Sequence, residues 1–295
     1  MGSADSPAPA VALSPAPSPA VPGSFVRVAP AGRWPGLHAA ELWRYRGLLF
    51  FLTWRELKVR YAQTILGAAW AVLQPVLTTV VFTVIFGRFA RLPSDGVPYA
   101  AFSLTALVPW TYFVTAVTGA SNSLVANRSL VTKVYFPRLV IPAAPVLAAL
   151  LDLGVSFVAL LVLIFSYGIV PNQAAALLLP LSVLMTVITA AGVGCWLAAL
   201  NIQYRDVKYV VPFLLQLWLF ASPVVYPLSL IPPPYRLAYA VNPIVGVIAG
   251  FRSALLGAGG PTTAEFAVSF GSACLILVGG AAYFRRTERV FADVA

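Results

Sequence analysis

The sequence predicts an all-α integral membrane fold: six transmembrane helices, an N-terminal amphipathic interface helix, and two short helices between spans five and six. Three observations carry that prediction. Of 295 residues, 60% are hydrophobic and 9% charged, against about 45–50% and about 25% in soluble domains. Six segments are long and apolar enough to cross a hydrocarbon core, which takes about 20 residues each. The cations between these segments fall unevenly on alternate connections.

Taken in order, residues 1–35 hold eight prolines and little that could be buried, which predicts a disordered tail. No basic region precedes an apolar run there, so a cleavable signal peptide is not expected. An interface helix is expected over 44–62. Within it, Phe50, Trp54, Leu57 and Tyr61 form one stripe of LLFFLTWRELKVRY, flanked by Lys58 and Arg60, with Arg55 further round. A helix packed on another chain is the alternative. The spans follow at about 65–87, 99–121, 140–169, 174–200, 208–228 and 264–284. The transmembrane domain is drawn over 36–286, with a tail over 287–295.

The longest connection carries two apolar pieces too short to span, Leu237–Val241 and Ile244–Leu256. The second has its own helix frame: Asn242 as N-cap, Pro243 at the first position and Gly257 past the end. Two short elements dipping into one membrane face are the natural reading, and such backbone needs protein or water beside it. With the N-terminus inside, the cytoplasmic connections hold 15 Lys and Arg and the outer ones 4, namely Arg88, Arg91, Arg236 and Arg252. The positive-inside rule therefore predicts two cytoplasmic termini. It also explains the net charge of +10 without nucleic acid.

Several functions are excluded by absence. The single histidine, His38, argues against a histidine metal site or a Ser-His triad. Cys195 and Cys274 lie in apolar runs and read as small hydrophobes. The three lysines, Lys58, Lys133 and Lys208, never follow a glycine, so the chain has no Walker A motif. ATP-driven transport would need a second subunit. No acid pair or nucleophile constellation marks a membrane enzyme.

Four features could carry function. Asn127–Leu139 combines the cations Arg128, Lys133 and Arg138 with the apolar Leu130, Val131, Val134 and Phe136. It is either a docking helix for a cytoplasmic partner or a basic loop at the headgroups. Pro212, Pro223 and Pro227 interrupt span five and Gln216 lies at membrane depth, so this helix should face protein or a cavity. Aromatics in or near the spans, among them Trp70, Trp110, Phe113, Trp218, Phe220 and Tyr226, could stack on sugar rings or serve as interfacial belts. Asp152 is the one acid well inside a span, with no obvious partner at its depth. It is read as a hydrogen-bonded structural carboxyl or as a proton relay.

Four stretches in order then carry a resemblance: RELKVRYAQTILGAAWAVLQP (Arg55–Pro75), NRSLVTKVYFPRLVIP (Asn127–Pro142), ALNIQYRDVKYVVPFLLQLWLFASPVVYP (Ala199–Pro227) and NPIVGVIAGFRSALLG (Asn242–Gly257). The chain resembles the permease subunit of ABC-2-type polysaccharide exporters, the O-antigen exporter permeases with their teichoic-acid and galactan relatives, from about residue 41 to 286. The resemblance implies two permease chains and two separate ATPase chains in a bacterial inner membrane, with ATP and Mg bound only by the ATPase and no cofactor here. It implies export of a glycan on undecaprenyl diphosphate. By the same resemblance, Trp54, Arg55, Lys58, Arg60 and Tyr61 belong to the interface helix, and Arg60 is the first choice for attracting the carrier's phosphates. Asn127, Arg128, Ser129, Leu130, Val131, Lys133, Phe136 and Arg138 form the coupling segment. Trp70, Gln74, Trp110, Phe113, Gln216, Trp218, Phe220 and Tyr226 border the path, and Tyr235, Arg236, Asn242, Phe251 and Arg252 form the gate region. A small-molecule export permease and an ion-coupled transporter using Asp152 are the competing readings.

Overall fold

The computed structural model describes residues 43–62, 69–133, 136–173, 175–204, 206–288 and 291. All regular elements among them are helical. The expected tail at 1–35, His38 and Arg205 lie outside the described residues, as do Val134 and the side chains of Val131 and Lys133.

The helices are α1 (Arg46–Tyr61), α2 (Ala69–Phe82, prolonged by a π-helical turn Thr83–Phe89), α3 (Tyr99–Ala126), α4 (Arg128–Lys133), α5 (Val140–Ser166), α6 (Ala175–Gln203), α7 (Val207–Phe220), α8 (Pro233–Tyr239), α9 (Pro243–Leu256) and α10 (Thr263–Thr287). Five are long and apolar enough to cross a membrane: α2 with its π turn, α3, α5, α6 and α10. The expected fifth span is shorter than its sequence suggested. Its helix covers 14 residues, about 21 Å at 1.5 Å per residue, and it gives way at Ala221 to non-helical backbone running to Pro227. The prolines at 223 and 227 stop that helix rather than kink it.

α3 is the central post and packs on α5, α6, α9, α2 and α7. Tyr112, Phe113, Val117, Leu160, Met185, Ile248 and Phe251 form the middle of the core. A second cluster closes what we term the basal end, where Leu52 of α1 meets Leu124, Phe136, Leu139, Phe284 and Phe291. Phe284 and Phe291 meet edge to face at 5.1 Å, so residue 291, expected in a tail, contributes to the core. Hydroxyls inside the bundle bond back to the preceding turn, Thr105 to Ala101 O, Thr186 to Ser182 O and Thr189 to Met185 O, each at 2.7 Å. Hydrocarbon surroundings demand such internal satisfaction.

One crossing depends on glycine. A Cβ on Gly192 of α6 would lie 2.7 Å from the backbone of Leu277, and one on Gly280 would meet the Gly192 carbonyl and Trp196. α6 and α10 are therefore in backbone contact, the close approach that small residues permit between helices in lipid. α10 starts with a complete capping box. Thr262 accepts from Glu265 N at 3.2 Å, and the Glu265 carboxylate accepts from Thr262 N at 2.8 Å.

Candidate functional site

The polar chemistry gathers at two places. On the basal side of the distal network, where α2 begins and midway along α5, α1 lies against α5 and delivers Arg60 and Tyr61 to Asp152. The carboxylate accepts from Arg60 Nη1 on one oxygen and from Tyr61 Oη on the other. The expectation that Asp152 lacks a partner is thus corrected. Its partners come from a helix 91 and 92 residues earlier in the chain, and spacing along one span could not reveal them. An intramembrane acid is costly until a cation and a donor meet it, and this pair meets both demands. Trp70 and Gln74 of α2, Thr111 and Tyr112 of α3, and Ser156 of α5 complete an open cleft of about 250 Å³ around the trio. Ser156 ties its floor together by donating to Ala71 O at 2.6 Å.

The opposite, distal end carries a denser network. Here α8 and α9 meet at a bend of 113°, and Asn242 fills the corner. Its Oδ1 accepts from Ile244 N at 3.1 Å as an N-cap and from Trp218 Nε1 at 3.0 Å. Its Nδ2 donates to Ala221 O at 3.2 Å and Ser222 Oγ at 3.0 Å. The cap expected from Asn242-Pro243 is present, and Gly257 ends α9 with φ +66°, in the left-handed region. Arg252 of α9 is buried and donates to the carbonyls of Pro223 (2.7 Å), Val224 (2.9 Å) and Tyr226 (3.2 Å), with longer contacts to Phe102 O at 3.4 Å. Its guanidinium also lies over the Phe102 ring at 3.4 Å. These bonds satisfy carbonyls of the non-helical segment that follows α7. Tyr99 donates to Val225 O at 2.7 Å, and the hydroxyls of Tyr226 and Tyr239 meet at 2.8 Å.

With the fold in hand, comparison with known proteins decides the family. Residues 47–256 match the ABC-2 type transporter family. The chain belongs to that family. It is similar to the O-antigen export system permease protein RfbA of Myxococcus xanthus, 37% identical over 215 residues covering 72% of this chain and 82% of that one. A protein of the same name from Klebsiella pneumoniae is 28% identical over 84% of this chain and 94% of its own. The polysialic acid transport protein KpsM of Escherichia coli is 25% identical over 68% of this chain and 78% of its own.

In this ABC-2 permease the residues singled out from the sequence divide by location. Trp70 and Gln74 line the basal cleft with Arg60 and Tyr61. Trp110 and Phe113 do not border an open path in the protomer. They are 5% and 0% exposed, their rings meet at a tilt with centroids 5.6 Å apart, and Phe113 meets Trp218 edge on at 5.2 Å. The reason is the central position of α3. Trp218 and Tyr226, expected along the path, are bonded into the distal network because α7 stops between them. Gln216 and Phe220 lie on the exposed side of α7 with Phe213 and Leu217, as do Val80, Val81 and Val84 on α2. Tyr235 is exposed, Arg236 donates to Ile231 O at 2.8 Å, and Phe251 is fully buried.

At the basal end, Phe136 is 6% exposed and packs against Leu52 and Phe284, with Leu130 beside it. Expected to face a partner, Phe136 instead anchors its own segment to the permease. Asn127 ends α3 and accepts from Arg55 Nη2 at 2.5 Å, tying α1 to the segment. Arg138 holds the other end by donating to the Glu288 carbonyl. Ser129 is exposed and Arg128 half-buried. On α1, Phe50, Trp54, Val59 and Lys58 face outward while Leu52 faces in, so the expected stripe is split between surroundings and protein. Thr111, Ser156, Tyr99 and Tyr239 were missed by sequence reasoning. Charge balance, with one acid inside the spans that requires a cation from elsewhere in the chain, is the signal the sequence offers for the basal cleft.

Proposed function

We propose that this ABC-2 permease is the membrane half of an ATP-driven exporter of lipid-linked polysaccharide. It works as a pair of permease chains with two separate ATPase chains in the inner membrane. The likeness to O-antigen permeases across most of both chains carries this reading. The substrate is a glycan on undecaprenyl diphosphate. The energy comes from ATP and Mg bound by the partner, since this chain has no Gly-Lys pair. The 15-to-4 cation split supports a cytoplasmic basal end and two cytoplasmic termini.

In this scheme the second permease copy meets the exposed faces of α2, at Leu77 and Val81, and of α7, and the glycan passes between the two copies. The diphosphate approaches Arg60 at the basal cleft, where a planar guanidinium bonds phosphate oxygens well. The segment from Asn127 to Arg138 takes the push of the closing ATPase and passes it to α5, and the distal network around Asn242 and Arg252 opens to release the chain. Pairing of Asp152 with Arg60 and Tyr61 favours a structural carboxylate over a proton relay.

The test is deletion of the gene followed by complementation. Deletion should abolish the surface polysaccharide and leave lipid-linked glycan accumulated on the cytoplasmic face. Wild type should restore export only beside an ATPase competent for hydrolysis. Intact surface glycan in the deletion, with altered sensitivity to small toxic compounds, would overturn the glycan reading in favour of a small-molecule exporter.

A further inference from the structure

The basal cleft continues into the membrane. Immediately distal to it the same three helices leave a second hollow of about 390 Å³, walled by Val76, Thr79 and Val80 of α2, Leu104 of α3, and Val162 and Leu163 of α5. The register makes the two hollows one groove. On α5 the polar lining at Asp152 and Ser156 is followed by Ala159, Val162 and Ser166, always three or four residues on. On α2, Trp70 and Gln74 are followed by Val76, Val80 and Thr83. α3 runs the other way and contributes Thr115 and Thr111 to the polar part, then Leu104 and Ala100 to the apolar part. From Asp152 to Ser166 the groove follows 14 residues of helix, about 21 Å, enough to cross one leaflet of a core about 30 Å thick.

Its two ends have opposite chemistry. The distal part is aliphatic and open to the side, with Val80 and Val162 more than half exposed. The basal end presents the guanidinium of Arg60, the Tyr61 hydroxyl and the Gln74 amide. Asp152 engages only one of Arg60's nitrogens, and the arginine side chain is 25% exposed. A hydrocarbon chain fits the first part and an anionic head the second, in that order from the distal ends of α3 and α5 to the middle of those helices.

The geometry points to a binding site for a single amphiphile with a phosphate-bearing head and a long hydrocarbon chain, held within one protomer along the seam of α2, α3 and α5. The phosphate takes the Arg60 nitrogens that Asp152 does not engage, and the chain lies in the slot beside Val162. Asp152 is the internal counter-anion that holds both donors in place and competes with the head for them. This deepens the exporter reading, on which it rests for the carrier as one source of such a head. An anionic phospholipid is the other source.

The test reads lipid retained by the purified full-length chain. The chain is reconstituted in phosphatidylcholine discs containing either undecaprenyl diphosphate or phosphatidylglycerol, re-extracted, and weighed with its bound lipid by native mass spectrometry. Wild type should keep one anionic lipid per chain. Arg60→Gln should lower retention about tenfold, as loss of charge-assisted hydrogen bonds does. Val162→Trp should lower it comparably by filling the slot, at an exposed position where folding is not at stake. Asp152→Asn should raise retention several-fold, because the competing carboxylate is gone. Leu275→Trp, at an exposed position on α10, should change nothing.

Preference for undecaprenyl diphosphate supports the site as a carrier site, and preference for phosphatidylglycerol supports it as the seat of a resident lipid. Equal retention of phosphatidylcholine, retention untouched by Arg60→Gln, or equal loss in Leu275→Trp would each overturn it. Should Arg60→Gln not fold, Val162→Trp and Arg60→Lys probe the same two ends of the groove. Cells carrying Val162→Trp separate the two ideas: lipid loss without loss of export refutes a role for the groove in transport and leaves the exporter reading standing.

Discussion

Replacing Arg252 by Met removes a guanidinium while keeping most of the aliphatic stem, and the structure sets the size of the effect. Three carbonyls within 3.2 Å, those of Pro223, Val224 and Tyr226, lose their donor. A buried acceptor left without a partner costs about 1–3 kcal/mol, and the cation over the Phe102 ring is worth about 1–2 kcal/mol more when desolvated. Against this stands the desolvation that the wild-type arginine already bears, several kcal/mol per buried ion. The net cost is about 3 kcal/mol, a factor on the order of 100 in a local opening equilibrium. It should fall on the segment from Ala221 to Pro227, whose carbonyls are the ones released. Hydrogen–deuterium exchange read by peptide is the direct assay. Amides of 221–227 should exchange on the order of 100-fold faster while those of α6 and α10 stay as in wild type. Arg252→Lys should lie between the two, since an ammonium cannot reach three carbonyls at once. Uniformly faster exchange along the chain, or none at 221–227, would refute a local clamp.

Other expectations can be checked by heating the solubilised protein or by assaying export. Asn242→Ala should cost about 2 kcal/mol, about 1 for the cap and the rest for the Trp218 indole and the α7 carbonyl. Adding Trp218→Phe should then cost less than it does in wild type, a double-mutant coupling that thermal unfolding detects. Gly280→Leu should abolish a monodisperse protein, because its Cβ would meet the Gly192 carbonyl; fluorescence-detected size exclusion shows this directly. Phe136→Ala should cost about 3–5 kcal/mol as a buried aromatic. Its thermal stability should fall at the same time as any export defect, and normal stability with lost export would contradict the packing role. Asp152→Asn should leave export dependent on the ATPase, and export that survives ATPase inactivation in wild type would restore the ion-coupled reading.

Much of this architecture is legible in the sequence because local chemistry encodes it. Asn242, Pro243 and Gly257 frame α9 by rules that act within a few residues, and the helix falls between them. The long spans are legible because crossing lipid requires a length of apolar chain whatever surrounds it. What membrane composition hides is which apolar face meets protein. Trp110 and Phe113 on α3 are as hydrophobic as Phe213 and Leu217 on α7, yet the first two are core and the others exposed. In lipid both environments accept the same side chains. Span five misled for a different reason. Apolar residues continue to Pro227, but the helix ends at Phe220 ahead of Pro223, and the non-helical run beyond is tolerated because Arg252 and Asn242, distant in sequence, satisfy its carbonyls. The Arg60–Asp152 pair was hidden by sequence distance too, since its members lie on helices separated by three others.

The bond from Arg138 to Glu288 has a mechanical consequence. It yokes the start of α5 to the end of α10, and α10 is in backbone contact with α6 through Gly192 and Gly280. A thrust delivered to the segment before Arg138 therefore loads three membrane helices in parallel, as a stiff lever arm. α7 is a shorter helix, and the strip beyond it is fastened by the side chains of Asn242 and Arg252. In the exporter we propose, the compliant part is then the strip from Val207 to Pro227, and the stroke is as long as that strip yields before the lever arm does.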